Sequence, residues 1–470
     1  MSYKENSMNV PREEDIVVPG DAVAEYIERH RRLIAPSTLD YTQGIVLSRA
    51  KGTRFWDIWR KEYLDFDASV AVAGIGHNHP LIAEMDQKQQ EILDFAESGG
   101  RLWRLTIDVA GTRYEISEPA FAEALIPKVF PGATCIHKVI PTVSGKHAVE
   151  IAAALAFKSE RVRPGKNWFV AFEKQFSGRL GWAGAFTYSK PAQKRDYPPT
   201  PFMLRHLPFP ETYEDFVRAR ELMAYIPLDA VNAVLYEYVQ GEGGINTPAY
   251  PFLHKILQEF KDHGALLICD EIQSGLGRTG KWFSFQHDSL VPDIVLVGKA
   301  LGAGIPMAAV VYCASIFDGK HDEILESSWL GGTFHGYTKG IARAILVLNI
   351  IEKEGLVAHA AEMGNLLRAV LLGSNSRIRG SYACIPKGIG LMAGLEFRTI
   401  LSPRGMPHKE ARNRVLKELV KAEPVGILTL PAGMDDFNPT IRFLPPLVIQ
   451  PHEIAYLKEK LSDALNRVSV

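Results

Sequence analysis

The sequence predicts an α/β protein built on a mostly parallel, mixed sheet flanked by helices, with a smaller α+β domain beside it. Three observations carry this. Leu266–Cys269 and Ile294–Val297 are short apolar runs bounded by turn residues, as strands buried on both faces of such a sheet require. Helical and strand patterns alternate from Leu81 to about Tyr337. At 470 residues and 46% hydrophobic content, the chain can bury a large core and form two or three domains.

Taken in order, residues 1 to about 40 read as an arm with a helical patch at Asp21–Arg32. β-like runs at Gly44–Leu47 and Phe55–Phe66 follow, ending in the GIGHNHP turn at Gly74–Pro80. Residues 1–80 thus form the arm and part of the small domain. The large domain, 81–338, has candidate strands at His137–Pro141, Trp168–Phe172, Ala233–Val239, Leu266–Asp270, Ile294–Val297 and Ala308–Cys313. Lys194–Pro210 is rich in proline and reads as an irregular surface loop. A helix from Lys339 to Glu354, apolar at Ile341, Ile345, Leu346, Leu348 and Ile351, opens the C-terminal small-domain segment, 339–470.

Composition narrows the function. A net charge of −1 with no block of like charges leaves no footprint for nucleic acid or an anionic membrane. No apolar run approaches the roughly 18 residues that span a bilayer, and the polar, acidic start MSYKENSMNVPREED is unlike a signal peptide. A cytoplasmic enzyme acting on small molecules is expected. Cys135, Cys269, Cys313 and Cys384 are few, far apart and mostly inside apolar runs, which predicts buried free thiols. His77 and His79 have no Cys or carboxylate cluster to complete a metal site, so no metal is expected.

The chemistry centres on Asp270 and Lys299. Both fall at the carboxyl ends of buried strands, where open α/β sheets collect ligands, and so face one crevice. A chemistry that needs a carboxylate and a lysine amine there is that of pyridoxal phosphate: the amine bonds the aldehyde, and the carboxylate keeps the pyridine nitrogen protonated. Two rivals weaken on inspection. No GxxxxGK[ST] loop accompanies the acid, and Gly275-Leu-Gly277-Arg-Thr-Gly280, although it matches GxGxxG, is followed by no clear amphipathic helix to meet a pyrophosphate. Ser144-Gly145-Lys146 opens a helix after a short strand, which suits a phosphate cup, or equally an ordinary helix cap by Ser144. Phe176 lies beyond the next strand, where an aromatic could stack on a flat ring, or else belongs to the core.

With these motifs in place the chain resembles the class III pyridoxal-phosphate-dependent aminotransferases, from about Gly44 to the C-terminus. The matches, in the family's order, are YLDF and GIGHNHP within Tyr63–Pro80, SGxxAVE at Ser144–Glu150, FxGR at Phe176–Arg179 and VQGEGG at Val239–Gly244. DEIQSGLGRTG at Asp270–Gly280, PDIVLVGKALGAGIP at Pro292–Pro306, GGTF at Gly331–Phe334 and RFLPPL at Arg442–Leu447 follow. The resemblance implies a fold type I enzyme, a homodimer with active sites at the subunit interface and a higher oligomer left open. It implies a ping-pong transfer from an ω-amino acid or amine to a 2-oxo acid, with an amino-acid racemase of the same fold as the alternative.

The resemblance also assigns residues. Lys299 would bond the cofactor, Asp270 would pair with the pyridine nitrogen and Gln273 would reach the ring hydroxyl. Ser144 with the amides of Gly145 and Lys146 would hold the phosphate, Phe176 would stack on the ring, and Thr333 would complete the phosphate site of the neighbouring subunit. Arg442 would bind a substrate carboxylate, Glu242 would mask it, and Glu237 would lie beside the substrate. The chain departs from the family at Lys146, His147, Ser177, Tyr238 and Ala68-Ser69, and Gly99–Leu105 looks like an insertion.

Overall fold

The computed structural model describes residues 22–35, 45–88, 102–189, 200, 202–326, 329–330, 332–375, 382–399, 408–432 and 439–468. Its first strands are β1 (Leu47–Lys51), β2 (Arg54–Asp57), β3 (Glu62–Asp65), β4 (Leu105–Val109), β5 (Thr112–Ile116), β6 (His137–Thr142), β7 (Trp168–Phe172) and β8 (Met203–Leu207). Then come β9 (Val231–Tyr236), β10 (Leu266–Asp270), β11 (Ile294–Val297), β12 (Ala308–Cys313), β13 (Tyr382–Ile389), β14 (Met392–Thr399), β15 (Gly426–Leu428), β16 (Leu430–Ala432) and β17 (Thr440–Phe443).

Seven of these form the central sheet, in the order β6-β12-β11-β10-β9-β7-β8. Only β12 runs against its neighbours β6 and β11; the other pairs are parallel. Every residue of β9, β10, β11 and β12 is buried, which is why they read as continuous apolar runs. Their side chains alternate between two cores. Ile268 and Leu296 join the apolar face of helix Gly145–Ser159, while Leu267, Cys269, Val295 and Val297 pack with helices Phe252–Asp262 and Thr338–Lys353. The N- and C-terminal segments meet in a second sheet, β1-β2-β3-β15, where β15 pairs with β3 in parallel. A third, β13-β14-β17-β16, carries Arg442 on β17.

Several boundaries differ from expectation. The Lys194–Pro210 stretch contains β8, a parallel edge strand on β7. Its alternating exposure hid it among the prolines, because an edge strand keeps polar residues such as Arg205. The β4–β5 hairpin was also missed, although Ala110 and Gly111 turn it with φ of +48° and +74°, as a tight hairpin demands. Strand β9 ends at Tyr236, short of Val239, because Glu237 turns its carboxylate back onto the Gly241 N–H. The run Phe55–Phe66 breaks into β2 and β3 around a turn, and the first strand begins at Leu47 where Gly44–Leu47 was expected. Asp21, Gly44 and residues 99–101 lie outside the described residues. The Lys339–Glu354 helix is present as Thr338–Lys353. Among the described residues no helix is long and apolar enough to cross a membrane. Cys135, expected in an apolar interior, is exposed and lies against Cys313.

Candidate active site

The carboxyl ends of the parallel strands open into one cavity of about 670 Å³. Register places its acids. Cys269 pairs with Tyr236, so Asp270 at the end of β10 and Glu237 just past β9 leave the sheet side by side. Asp270 is buried, and burial pushes its carboxyl up to about 7, against the opposing effects of the Ile272 N–H and of Lys299. Its Oδ1 accepts that N–H at 3.0 Å. Burial and the Asp270 charge raise Glu237 to about 8, and its two oxygens accept N–H groups from Phe176 at 3.0 Å and Gly241 at 3.1 Å.

Lys299 stands two residues past β11, in a left-handed conformation (φ +46°) that non-glycine residues adopt at a cost. A short helical turn, Lys299–Gly302, fixes it, and left-handed Ala303 and Gly304 close a tight turn after it. Burial lowers its ammonium to about 8, helped by Arg442 and resisted by Glu242, Asp270 and Glu237. Lysine and both acids therefore sit within one electrostatic neighbourhood.

The remaining predicted residues divide clearly. Gly145, Lys146, Phe176, Gln273, Glu242 and Arg442 line the cavity with Asp270, Lys299 and Glu237. Ser144 does not line it. Its hydroxyl caps helix Gly145–Ser159 by accepting the His147 N–H at 3.3 Å, the plain helix-cap reading. Gly145 has no room for a side chain, since a Cβ would lie 2.7 Å from Ile272. Gln273 Oε1 is buried with no hydrogen-bond partner, and Gly241 makes space for it. Arg442, 4% exposed on β17, holds Glu242 Oε2 at 3.0 Å from Nη1. Thr333 is exposed and outside this cavity. Gly331 lies outside the described residues.

Three features escaped sequence reasoning. Arg179 lines the cavity with its guanidinium 5.4 Å from the centre of the Phe176 ring; it was inside the FxGR motif but received no role. Asp67 is buried near Arg442 and Lys299, and its Oδ1 has no hydrogen-bond partner. Ala68, Ser69, Val70 and Ala71 all have φ between +49° and +66°, a left-handed turn pinned by Asp67 Oδ2 on the Val70 N–H. Val70 reaches the cavity from that turn. The Ala68-Ser69 departure marked the place but not its backbone strain. His77 and His79 engage Asp65 at 2.7 Å and Glu354 at 3.1 Å.

A family model described as "Aminotransferase class-III" matches residues 36–465. The chain belongs to the class III aminotransferases. The acetylornithine/succinyldiaminopimelate aminotransferase of Photorhabdus laumondii is 31% identical over 89% of this chain and 93% of its own. An ornithine aminotransferase from Toxoplasma gondii, whose structure is described with partial occupancy of pyridoxal phosphate at its active site, superposes with a TM-score of 0.76. It is 25% identical, with 95% of this chain and 94% of that one covered. A transaminase from Virgibacillus, 19% identical with 95% and 99% of the two chains covered, shares the fold at a TM-score of 0.82.

Class III aminotransferases use pyridoxal phosphate, and the cavity fits it. A side-chain-free Gly145 at a helix start, an unpartnered Gln273 oxygen and the Asp270–Lys299 pair suit, respectively, a phosphate, a ring hydroxyl and a pyridine aldehyde. Nothing here favours the racemase alternative. The GLGRTG loop leads into only a short turn, Ser284–His287, with no helix to serve a dinucleotide.

Proposed function

We propose that this aminotransferase takes the distal amine of a carboxylate-bearing amino acid and passes it to a 2-oxo acid, both in turn occupying one pocket. The observation that carries the reading is the Arg442–Glu242 pair, 3.0 Å apart at the cavity wall. A 2-oxo acid needs an exposed guanidinium for its carboxylate, whereas an ω-amine needs that charge covered. Glu242 covers it. Arg179 supplies a second cation, fit for the donor's own carboxylate. The substrates in the relatives' names, acetylornithine and ornithine, are amino acids of this kind.

The chain's own groups then have defined tasks. Bound pyridoxal phosphate supplies the electron sink and carries the amino group between the two half-reactions. The Gly145 and Lys146 amides would hold its phosphate, Phe176 would pack on its ring, Gln273 would meet its hydroxyl, and Asp270 would keep a positive charge on the ring nitrogen. Lys299 Nζ, its ammonium lowered to about 8 by burial, would accept the proton from the substrate carbon and deliver it to the cofactor's former aldehyde carbon. Glu237 braces Phe176 and the Gly241 turn beside the substrate.

The same reading places Thr333 at the partner subunit's phosphate in a homodimer, divides the chain near residues 80 and 338, and puts the enzyme in the cytoplasm. Sedimentation of the holoenzyme at assay concentration checks the dimer, and a fully active monomer refutes it. The donor is tested with a panel of ornithine, N-acetylornithine, lysine, 4-aminobutyrate and alanine against pyruvate and 2-oxoglutarate. Turnover of alanine alone, with none of the ω-amines, overturns it.

A further inference from the structure

Away from this cavity, three soft ligands converge at the opposite end of β6. The register pairs Cys313 with His137, and the Ala314 N–H donates to the Ile136 carbonyl at 2.8 Å, which holds the segment before β6 against the end of β12. Cys135 Sγ lies 2.7 Å from Cys313 Sγ and 3.5 Å from His137 Nε2, and one donor atom from each residue falls within 4.8 Å of the others. We propose that Cys135, His137 and Cys313 bind one borderline-soft divalent cation of the zinc type.

Four details support a built site. His137 Nδ1 lies 3.1 Å from the Cys135 carbonyl oxygen. Donation of the Nδ1 proton to that carbonyl leaves the Nε2 lone pair free for a cation, the tautomer that metal-binding histidines receive from such a bond. The imidazole plane is steadied by stacking on Phe130, with centroids 4.1 Å apart at 23°. Ser315 Oγ, 3.0 Å from Cys313 Sγ, can donate to a thiolate there. Cys135 is exposed, which gives the cation a path in.

Thiolate and imidazole ligands select zinc among the common divalent ions. Zinc–sulfur bonds of about 2.3 Å in a tetrahedron place the sulfurs about 3.8 Å apart, so the two thiols must part by about 1 Å, within reach of side-chain rotation. Binding sends both thiol protons to solvent, the imidazole binds neutral, and water takes the fourth position. Five residue steps along the strand separate His137 from Thr142, about 17 Å, so the cation would tie the edge strand β6 to β12 rather than serve the reaction.

The holoenzyme, reduced with a phosphine and freed of metal by a chelator, is dialysed against zinc alone and its metal content measured. One zinc per chain is expected, with affinity weakened more than about tenfold in Cys135→Ser and in His137→Gln. Cys384→Ala, a thiol elsewhere, should keep the zinc. Zinc should also raise the melting midpoint of the wild type and not of Cys135→Ser. No zinc uptake by the reduced wild type, or equal uptake by all three variants, overturns the proposal. So does a protein that loses two hydrogens' mass in air and takes no zinc after reduction, which would make the pair a disulfide instead.

Discussion

Glu237 and Asp270 are lateral neighbours, one just past β9 and one ending β10, and burial raises both carboxyls, to about 8 and about 7. An acid whose folded pKa lies above its unfolded value stabilises the fold below the unfolded pKa. That contribution is lost as pH rises through the folded one. The cofactor-free protein should therefore lose thermal stability between about pH 4 and pH 8. Melting midpoints of cofactor-free Glu237→Gln should fall less over that range than those of the wild type. Parallel profiles would show that Glu237 ionises at its ordinary pKa.

Borohydride reduction of the holoenzyme should fix the cofactor on Lys299. That lysine is buried at the strand ends beside Asp270. Peptide mapping that finds the label on another lysine sinks the assignment. Cofactor capture by the cofactor-free enzyme should quicken as pH rises through about 8, where Lys299 loses its proton.

Asp270→Asn should fold and bind the cofactor yet slow both half-reactions by on the order of a hundredfold or more. An amide cannot hold the ring nitrogen protonated in a dry site. Rapid-mixing spectra with a single amino acid measure this directly. Unchanged rates would place Asp270 away from the ring.

Gly241 and Gln273 form a matched pair, because a Cβ on Gly241 would lie 1.7 Å from Gln273 Oε1. Gln273 is flexible enough to move, so Gly241→Ala should fold and displace it. Gly241→Ala and Gln273→Ala should then weaken cofactor affinity by similar factors, and the double variant should be little worse than either. Additive losses would show that the two act separately.

The central sheet and the Asp270–Lys299 pair were legible because buried parallel strands leave unbroken apolar runs and the reactive groups follow at their carboxyl ends. Strand β8 was not, because an edge strand alternates polar and apolar residues and here adjoins prolines. The left-handed turn at Ala68–Ala71 was hidden for another reason. Its residues have no glycine to announce positive φ, and the conformation is held by the Asp67 carboxylate, which pattern alone does not reveal. The meeting of Cys135 with Cys313 depends on β6 and β12 becoming neighbours across 178 residues of chain.

The pairing of Arg442 with Glu242 supplies the sharpest test of the proposed substrate exchange. The contact is 3.0 Å long and largely shielded from water, so removing either partner changes what the other presents to the pocket. Without Arg442 the 2-oxo acid loses its carboxylate anchor, and Arg442→Ala should raise KM for the oxo acid far more than for an amine lacking a carboxylate. Without Glu242 the guanidinium stays exposed, which repels a distal ammonium but still welcomes a carboxylate. Glu242→Ala should therefore slow the ω-amine half-reaction while sparing the oxo-acid half. An ordinary structural ion pair predicts something different: loss of stability with equal loss in both directions. Half-reaction rates and melting midpoints on the two variants separate these outcomes, and equal losses would leave the pair as a brace for β17 rather than a switch.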